Sequence, residues 1–277
     1  MLTKLCFAGL LAAAAAKRCG TTPPSAEVRA RARFQSARFT SKNQTAEPAL
    51  IPTFVHVLAI NETVEGGWVS EEDIKAQIDV MQADYGPSSI SFDLKGFNHT
   101  INADWAQDLD GEEMRRTLYA GGHDTLNLYL LQNVGGALGY CTIPSDHPPN
   151  STNFFMDGCT ILSSSLPGGS LEGFNLGRTA THEVGHWLNL WHTFEGACTA
   201  EGDGIADTPA SLEETEGCPV GRDSCPDMPG LDPIHNFMDY SDDACMSEFT
   251  PDQAQRMHAG WQTRLSGVKN AKRGSDA

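Results

Sequence analysis

Apolar and polar positions along the first half of the chain follow strand-like and helix-like periods in turn. Alternating, β-branched stretches predict strands at 51–60, 90–97, 125–132 and 135–144. Apolar residues at helical spacing predict helices at 70–85, where Ser70 and Asp73 resemble a capping box, and at 112–119. This order of elements predicts a mixed α/β (α+β) fold whose folded body begins near Ile51.

The second half of the chain predicts two helices on either side of a long irregular segment. The first helix is expected from about Gly177 to Leu190, and Thr250 is placed to cap the second. Residues 196–235 between them are rich in Gly, Pro, Asp and Cys, and so long an irregular segment needs cross-links or a metal to hold it. Four cysteines in or just after it supply cross-links. Asp203 and Asp207 could hold Ca²⁺, although we favour ordinary turn chemistry for both.

The N-terminal 16 residues predict a secretory signal peptide. A lysine is followed by an apolar run that ends in small residues, with Ala14 and Ala16 in an A-x-A pattern. As a membrane anchor this run would reach only about 18 Å as a helix, which is short of a bilayer core. We therefore divide the chain into a signal peptide (1–16), a pro-segment (17–46) and a folded domain (47–277), and predict a secreted, extracellular protein without a membrane partner.

The charge of the chain is unevenly distributed. The net charge is −17, yet residues 17–42 carry seven basic residues against the single acid Glu27. The pro-segment is therefore basic and the remainder strongly acidic. An acidic exported domain argues against nucleic acid and anionic membranes as partners. No feature of the sequence predicts the oligomeric state.

The cysteines and the glycosylation sequons fit an exported protein. With Cys6 in the signal peptide and Cys19 in the pro-segment, an even number remains and indicates three disulfides among Cys141, Cys159, Cys198, Cys218, Cys225 and Cys245. Fifteen pairings of six cysteines are open at this point. Four N-glycosylation sequons are predicted at Asn43, Asn61, Asn98 and Asn150.

Three histidines lie in the stretch HEVGHWLNLWH, residues 182–192. His182 and His186 are four residues apart, so on a helix they share one face, one turn apart. Zinc prefers imidazole nitrogen and takes three protein ligands in a catalytic site, which leaves one position for water. Glu183 is placed to take a proton from that attacking water. The pattern predicts a catalytic zinc site.

His192 can complete this site only if the helix ends before it. On an unbroken helix it would lie about 9 Å beyond His186 and roughly 120° around the axis, out of reach of a shared ion. Asn189 stands where the chain has to turn, and Asn is the usual second choice after Gly for the left-handed conformation required. The alternative is that His192 merely follows a tryptophan at a helix end. The apolar residues nearby are expected to be core packing: Trp187, Leu188, Leu190 and Trp191.

Two separate motifs carry a resemblance to a known family. HExxHxxNxxH is similar to the metzincin signature HExxHxxGxxH, with Asn189 in place of the usual Gly. The longer string HEVGHWLNLWHTFEGAC, followed by NFMDYSDDACMSEFTPDQAQRM, resembles the pappalysin group of secreted metalloproteases over residues 135–256. The resemblance implies a metzincin-like zincin fold. Its parts would be a twisted mixed sheet, a long active-site helix and a loop-rich, disulfide-stapled C-terminal subdomain.

The resemblance also implies roles for residues near the second motif. Met238 would be the methionine of the Met-turn, a hydrophobic floor beneath the metal and not a ligand. Tyr240 would lie beside the zinc and stabilise the oxyanion. Asp242 and Asp243 fall in the segment that lines the specificity pocket in such enzymes, where an acidic residue, Asp243 above all, would favour Arg or Lys directly after the cleaved bond. The alternative is a solvated acidic turn.

For the cysteines, the resemblance implies a pairing and a switch. It suggests the disulfides Cys198–Cys225 and Cys218–Cys245, and leaves Cys141–Cys159. Cys19 would then be the sole unpaired thiol, and as a thiolate it could be a fourth zinc ligand that displaces water and keeps a zymogen silent. The alternative is that Cys19 is lost with the signal peptide or pairs elsewhere.

The function implied is a secreted zinc endopeptidase with one Zn²⁺ per chain and protein or peptide substrates. If the pocket selects basic residues, the arginines at 29–38 offer points for self-activation. The alternative from another class is a secreted zinc-containing binding protein that does not cleave, but such a protein has no need of Glu183. A serine hydrolase is disfavoured, since the sequence has no G-x-S-x-G elbow. The remaining histidines are expected to be structural or surface residues: His56, His99, His123, His147, His235 and His258.

Overall fold

A single mixed sheet organises the molecule. The computed structural model describes residues 17–40, 47–144, 147–148 and 150–275. Its six strands lie in the order β1-β5-β6-β4-β2-β3. Their bounds are β1 Lys17–Cys19, β2 Ala49–Ala59, β3 Ile90–Ile101, β4 Leu126–Leu131, β5 Ala137–Cys141 and β6 Cys159–Leu162.

Helices and short turns connect the strands. The helices are α1 Ala26–Thr40, α2 Glu71–Tyr85, α3 Ala103–Ala106, α4 Gly111–Leu118, α5 Thr152–Phe155, α6 Arg178–Trp187 and α7 Pro251–Ser275. Single 3₁₀ turns occur at Gly86–Ser88 and Ser163–Ser165. The predicted capping box is present, since Ser70 and Asp73 satisfy each other's backbone N–H at the start of α2. Thr250 likewise accepts the Gln253 N–H at 3.2 Å, as expected for the start of α7.

Strands β1 and β5 run in the direction opposite to that of the other four strands. Strands β2, β3, β4 and β6 run parallel to one another, whereas β5 is antiparallel to β6. Strand β1, from the pro-segment, adds to the other side of β5 in parallel, with Lys17 opposite Ala137 and Cys19 opposite Gly139. The mixed sheet that the sequence predicts is therefore confirmed, with its outermost strand supplied by the pro-segment.

The core lies between the sheet and helices α2 and α6. The apolar face of α2, with Ile74, Ile78 and Met81, joins one buried cluster with the inward residues of the strands and with Trp187 of α6. The expectation of core packing around the histidines is confirmed, because Trp187, Leu188, Leu190 and Trp191 are all at most 1% exposed. Burial of such side chains from water is the main favourable contribution to folding. It holds α6 rigidly against the sheet.

The pro-segment contains a helix that the sequence does not predict. Residues 20–50 show little apolar periodicity and so predict no regular structure, yet α1 forms within them and packs against α7. Arg29 donates to Glu195 at 2.6 Å and lies 5.2 Å from the ring of Trp191. Contacts with the acidic domain, rather than an apolar stripe, hold this helix, which is why a periodicity criterion misses it.

Three disulfides staple the molecule, in the pairing that the resemblance implies. Cys141–Cys159 joins β5 to β6, while Cys198–Cys225 and Cys218–Cys245 hold the segment that follows α6. That segment has no helix or strand between α6 and α7. Cross-links replace secondary structure there, since they restrict the unfolded chain more than the folded one.

The two candidate calcium ligands have other contacts. Asp207 accepts hydrogen bonds from the Thr250 hydroxyl at 2.6 Å and from the Asp252 N–H at 3.0 Å, so it caps the start of α7. Asp203 is buried and accepts from the Ile205 N–H at 2.9 Å. Neither belongs to a cluster of three metal-binding side chains within the described residues. The turn and cap chemistry that we favour accounts for these contacts.

The remaining predictions for an exported protein concern the glycosylation sequons, the signal peptide and the absence of a membrane span. Asn61, Asn98 and Asn150 of the sequons are exposed, as glycosylation requires. Asn43, Cys6 and the predicted signal peptide lie outside the described residues. Within the part of the chain that the structure describes, no helix is both long and apolar enough to cross a bilayer.

Candidate active site

Three imidazoles meet at one point at the C-terminal end of α6. The Nε2 atom of His186 lies 3.2 Å from Nε2 of His182 and 3.1 Å from Nε2 of His192. All three histidines are at most 5% exposed. The helix places the first two on one face, and the turn after it returns the third.

That turn has the conformation that the sequence predicts. Helix α6 ends at Trp187, and Asn189 adopts φ 82°, in the left-handed region. The Asn189 N–H donates to the His186 carbonyl and the Leu190 N–H to the Gly185 carbonyl, each at 2.9 Å, which is the Schellman pattern of helix ends. The prediction of a left-handed asparagine is confirmed.

Substitutions of Asn189 test whether the turn requires a residue that tolerates positive φ. Asn189→Ala should lower the free energy of unfolding by about 1–2 kcal/mol, because a Cβ-bearing residue without the asparagine's local polar contacts is strained at positive φ. Asn189→Gly should stay closer to the wild type, since Gly has no Cβ. Thermal or urea unfolding of the full-length variants measures both. Equal destabilisation by Ala and Gly would contradict this explanation of the turn.

Backbone carbonyls fix the ring orientation of two of the histidines. Nδ1 of His182 donates to the Phe237 carbonyl at 2.7 Å, and Nδ1 of His186 donates to the Leu190 carbonyl at 2.9 Å. With the proton on Nδ1, Nε2 presents its lone pair to the shared point. Burial is the main cause that lowers the pKa of His182, His186 and His192, so the neutral, metal-binding form is favoured.

This donor set fits a metal ion. The three neutral Nε2 atoms, with that of His186 within 3.2 Å of the other two, cannot all satisfy each other by hydrogen bonds, whereas one cation can accept all three lone pairs. The ligand atoms of Cys19 and the three histidines all lie within 4.8 Å of one another. Nitrogen and sulfur donors in a compact group of four are typical of zinc.

Glu183 lies beside the histidines, between α6 and β5. The side chain is fully buried, and the strand comes so close that a Cβ at Gly139 would lie 2.8 Å from Cγ of Glu183. Thr21 of the pro-segment donates its hydroxyl to Oε2 of Glu183 at 2.9 Å, while Oε1 is buried without a hydrogen-bond partner among the described residues. Burial raises the pKa of Glu183 to about 8.

Met238 and Tyr240 lie on either side of the imidazoles. Met238 is fully buried beneath α6, where a Cβ at Gly185 would lie 2.4 Å from its sulfur, so the helix needs a glycine there. The Tyr240 hydroxyl lies 3.3 Å from Nε2 of His192 and donates to the Cys19 carbonyl at 3.3 Å. Burial raises the pKa of the Tyr240 phenol, so it stays protonated and can donate.

Strand β1 brings Cys19 over the histidines. The Sγ atom lies 3.5 Å from Nε2 of His186, and Cys19 is the only unpaired cysteine among the described residues. Thr21 folds back, with its N–H donating to this sulfur at 3.2 Å. Burial raises the pKa of the thiol in the protein without a metal, and the nearby charge of Glu183 adds to that effect.

Arg18, directly before Cys19, enters a pocket formed by the segment after Met238. Its guanidinium donates to Oδ1 of Asp243 at 2.8 Å and to the Ser241 carbonyl at 2.7 Å. The other oxygen of Asp243 accepts N–H groups of Leu176 at 2.9 Å and Arg178 at 3.2 Å, at the start of α6. Asp243 is thus a buried ion-pair partner and not a solvated acid, whereas Asp242 is half-buried and lines an adjoining cavity.

The comparisons with known proteins agree with this geometry. A family model described as pregnancy-associated plasma protein-A matches residues 172–262. An extracellular metalloprotease of Verticillium alfalfae is 54% identical over 249 residues, which are 89% of this chain and 90% of that protein. The chain belongs to the pappalysin family of metalloproteases. Extracellular metalloprotease 1 of Coccidioides posadasii is a further relative, 45% identical over 95% of this chain and 96% of its own length.

Solved structures of mirolysin from Tannerella forsythia share the fold of this pappalysin. Mature mirolysin in complex with a cleaved peptide is 26% identical, covers 80% of this chain and 98% of its own, and has a TM-score of 0.66. A promirolysin variant covers 93% of this chain and 99% of its own at 24% identity, with a TM-score of 0.69. The predicted metzincin-like fold is therefore confirmed. The chain is an extracellular metalloendopeptidase, an enzyme class that acts on peptides and uses a metal.

Five of the other histidines of this pappalysin make structural side-chain contacts: His56, His99, His123, His235 and His258. His56 lies 3.0 Å from the Asn127 amide oxygen, and His258 lies 2.8 Å from the Ser88 carbonyl. Two residues near the N-terminus that the sequence does not single out reach the site: Arg18 and Thr21. Arg18 contacts Asp243 and Thr21 contacts Glu183, at separations of 225 and 162 residues in the chain. No local sequence pattern predicts such contacts.

Proposed function

We propose that this metalloprotease binds one zinc ion through His182, His186 and His192 and cleaves peptide bonds with Glu183 as general base. The observation that carries the proposal is the convergence of three Nε2 atoms, with that of His186 within 3.2 Å of the other two and the carboxyl group of Glu183 beside them. A zinc ion held there would lower the pKa of a bound water toward neutrality and polarise the peptide carbonyl.

Each residue has a role that its contacts support. Glu183 lies in a buried setting that raises its proton affinity, so it can take a proton from the attacking water and later give it to the leaving amine. Tyr240 presents a protonated hydroxyl to the same point and can donate to the oxyanion. Met238 forms the floor beneath α6 without presenting a ligand to the metal.

We infer that the described molecule is a latent precursor with pro-segment 17–46 and catalytic domain 47–277. Cys19 lies where a thiolate would complete the donor set of the three histidines, and its position excludes the attacking water. Thr21 hydrogen-bonds to Glu183 at the same time. Removal of the segment frees the ligand position and the base together.

We further propose that peptide bonds directly before Arg or Lys are preferred. Arg18 supports this preference, because the pro-segment itself places a basic side chain in the buried Asp243 pocket beside the histidines. Strand β1 runs parallel to β5, so a substrate running in the opposite direction would place the residue after the cleaved bond where Arg18 lies. Because β1 runs in the direction opposite to that of a bound substrate, Arg18 occupies the pocket without presenting a peptide bond for cleavage.

The experiment that tests the function is cleavage of a peptide library by the full-length chain after brief activation with trypsin, which is then inhibited. Mass spectrometry of the products should show cleavage directly before basic residues. A chelator should abolish cleavage until Zn²⁺ is restored. Cleavage that persists at full rate in the chelator would contradict the metal site.

Asp243→Asn should reduce the selectivity for basic residues. We expect the ratio of kcat/KM between an Arg peptide and a matched Leu peptide to fall by about 30-fold or more, because a buried guanidinium would lose its ionic partner. Asp242→Asn is the matched control, since the polar partners of Arg18 are Ser241, Asp243 and Met246 and not this neighbour, and it should change the ratio by less than about threefold. If the two variants behaved alike, Asp243 would not be the selective group.

A further inference from the structure

The pocket around Arg18 has features that fit a guanidinium and not an ammonium group. The two terminal nitrogens of Arg18 have different acceptors, with Nη1 donating to the Ser241 carbonyl at 2.7 Å and Nη2 to Oδ1 of Asp243 at 2.8 Å. Nη2 also lies 3.2 Å from the sulfur of Met246. These acceptors match the two terminal arms of the planar arginine fork, while the Nε–H is buried without a hydrogen-bond partner among the described residues.

A lysine in the same place could not reach both acceptors at hydrogen-bonding distance. Its single nitrogen ends one atom short of the arginine fork, near the position of the central carbon. From there it faces Asp243 and the Ser241 carbonyl across gaps that the two arms of arginine fill. Lysine would either leave one buried acceptor without a donor or carry water into the pocket, and both cost binding energy.

An aromatic ring adds a third feature. The guanidinium carbon of Arg18 lies 4.9 Å from the centre of the Phe174 ring. Planar guanidinium groups stack on aromatic faces, and a compact, strongly hydrated ammonium group does so less well. Phe174 is positioned by its loop, because the adjoining Gly173 carbonyl accepts the Asp243 N–H at 2.9 Å. The ring and the carboxylate are thus held together.

We propose that Phe174, together with the Ser241 carbonyl, makes this pocket select arginine over lysine in substrates. The inference rests on the proposed function, since it assigns to the residue after the cleaved bond the place that Arg18 holds in the precursor. Asp243 supplies the preference for positive charge, and Phe174 supplies the discrimination between the two basic side chains.

The test compares two peptides that differ only by Arg or Lys after the scissile bond, with trypsin-activated full-length enzyme. The wild type should cleave the Arg peptide with a kcat/KM at least about tenfold higher. Phe174→Leu should lower that ratio by about threefold to tenfold, and Phe174→Tyr, which keeps the ring, should preserve it.

The possible outcomes are distinct. Equal cleavage of both peptides by the wild type, or an unchanged ratio in Phe174→Leu, would overturn the role of Phe174 while leaving zinc-dependent cleavage before basic residues intact. An equal loss with both peptides would also overturn it, because the ring would then only support the loop. If the wild type cleaved neither peptide but cleaved others, the basic preference in the proposed function would fail together with this inference.

Discussion

Glu183→Gln is expected to lower kcat/KM for peptide hydrolysis by about 10²–10⁴-fold while the protein keeps its zinc. The amide has nearly the same shape as the carboxyl group, so it fits the space beside Gly139 and can still accept from Thr21. It cannot take a proton from the attacking water, and general acid–base catalysis typically contributes a factor of this size. Steady-state kinetics and metal analysis of the purified variant measure the two effects separately.

The same variant tests self-activation. If the enzyme processes its own arginine-rich pro-segment, the purified Glu183→Gln precursor should remain full length and zinc-loaded while the wild type is shortened. Glu62→Gln, an exposed glutamate outside the site, is the matched control and should be processed normally. Normal processing of purified Glu183→Gln would exclude self-activation, and wild-type kinetics in that variant would remove Glu183 from the mechanism.

Most of the fold of the catalytic domain could be predicted from local patterns. Strands β2, β3, β4 and β5 and helices α2, α4, α6 and α7 each carry a strong period or a cap, and each forms within a few residues of its expected bounds. For α7 the sequence predicts only the start, at the Thr250 cap, and the helix runs to Ser275. Long, periodic elements are predictable because the same residues determine both the local conformation and the buried face.

The pro-segment could not be predicted in the same way. Strand β1 has three residues, too few for any period, and α1 is rich in arginine and has apolar residues that follow no helical period. Both elements exist because of partners that the chain supplies much later, such as Asp243 for Arg18 and Glu195 for Arg29. Docked segments of this kind are determined by tertiary contacts, which a single sequence does not reveal.

The candidate site divides along the same line. The three histidines and Asn189, which tolerates positive φ, lie within eleven residues. Their spacing therefore predicts the geometry of the trio from the local sequence alone. The disulfide pairing and the position of Met238 came only from the family resemblance, because six cysteines allow fifteen pairings. The contact of Thr21 with Glu183 follows from neither source and required the structure.

The charge asymmetry of the sequence now has a structural explanation. The basic pro-segment places Arg18 and Arg29 against acidic partners on the catalytic domain, at 2.8 Å and 2.6 Å respectively. The first pair is almost fully buried and the second partly exposed, so removing one partner of the first, which leaves a buried charge unpaired, should cost more. In the latent precursor that we propose, the block is shared between the ion pairs and the thiol, so no single substitution should release it completely.

Cys19→Ala is expected to give the full-length precursor measurable peptidase activity without trypsin. Loss of a contact between a thiolate and a cation, worth about 1.5–3 kcal/mol if it resembles a hydrogen bond to a charged group, corresponds to an increase of about 10- to 150-fold in the open fraction. Arg18 and Arg29 would still hold the segment, so activity should stay below that of the trypsin-activated enzyme.

The measurement is hydrolysis of an Arg peptide by the purified precursor, with a chelator to show that the gained activity depends on metal. Thr22→Ala is the matched control, because Thr22 is exposed in the same segment and should leave the precursor silent. If Cys19→Ala were as silent as the wild type, the strand and its ion pairs alone would block the site. The 3.5 Å approach of its sulfur to His186 would then be a consequence of docking and not the cause of latency.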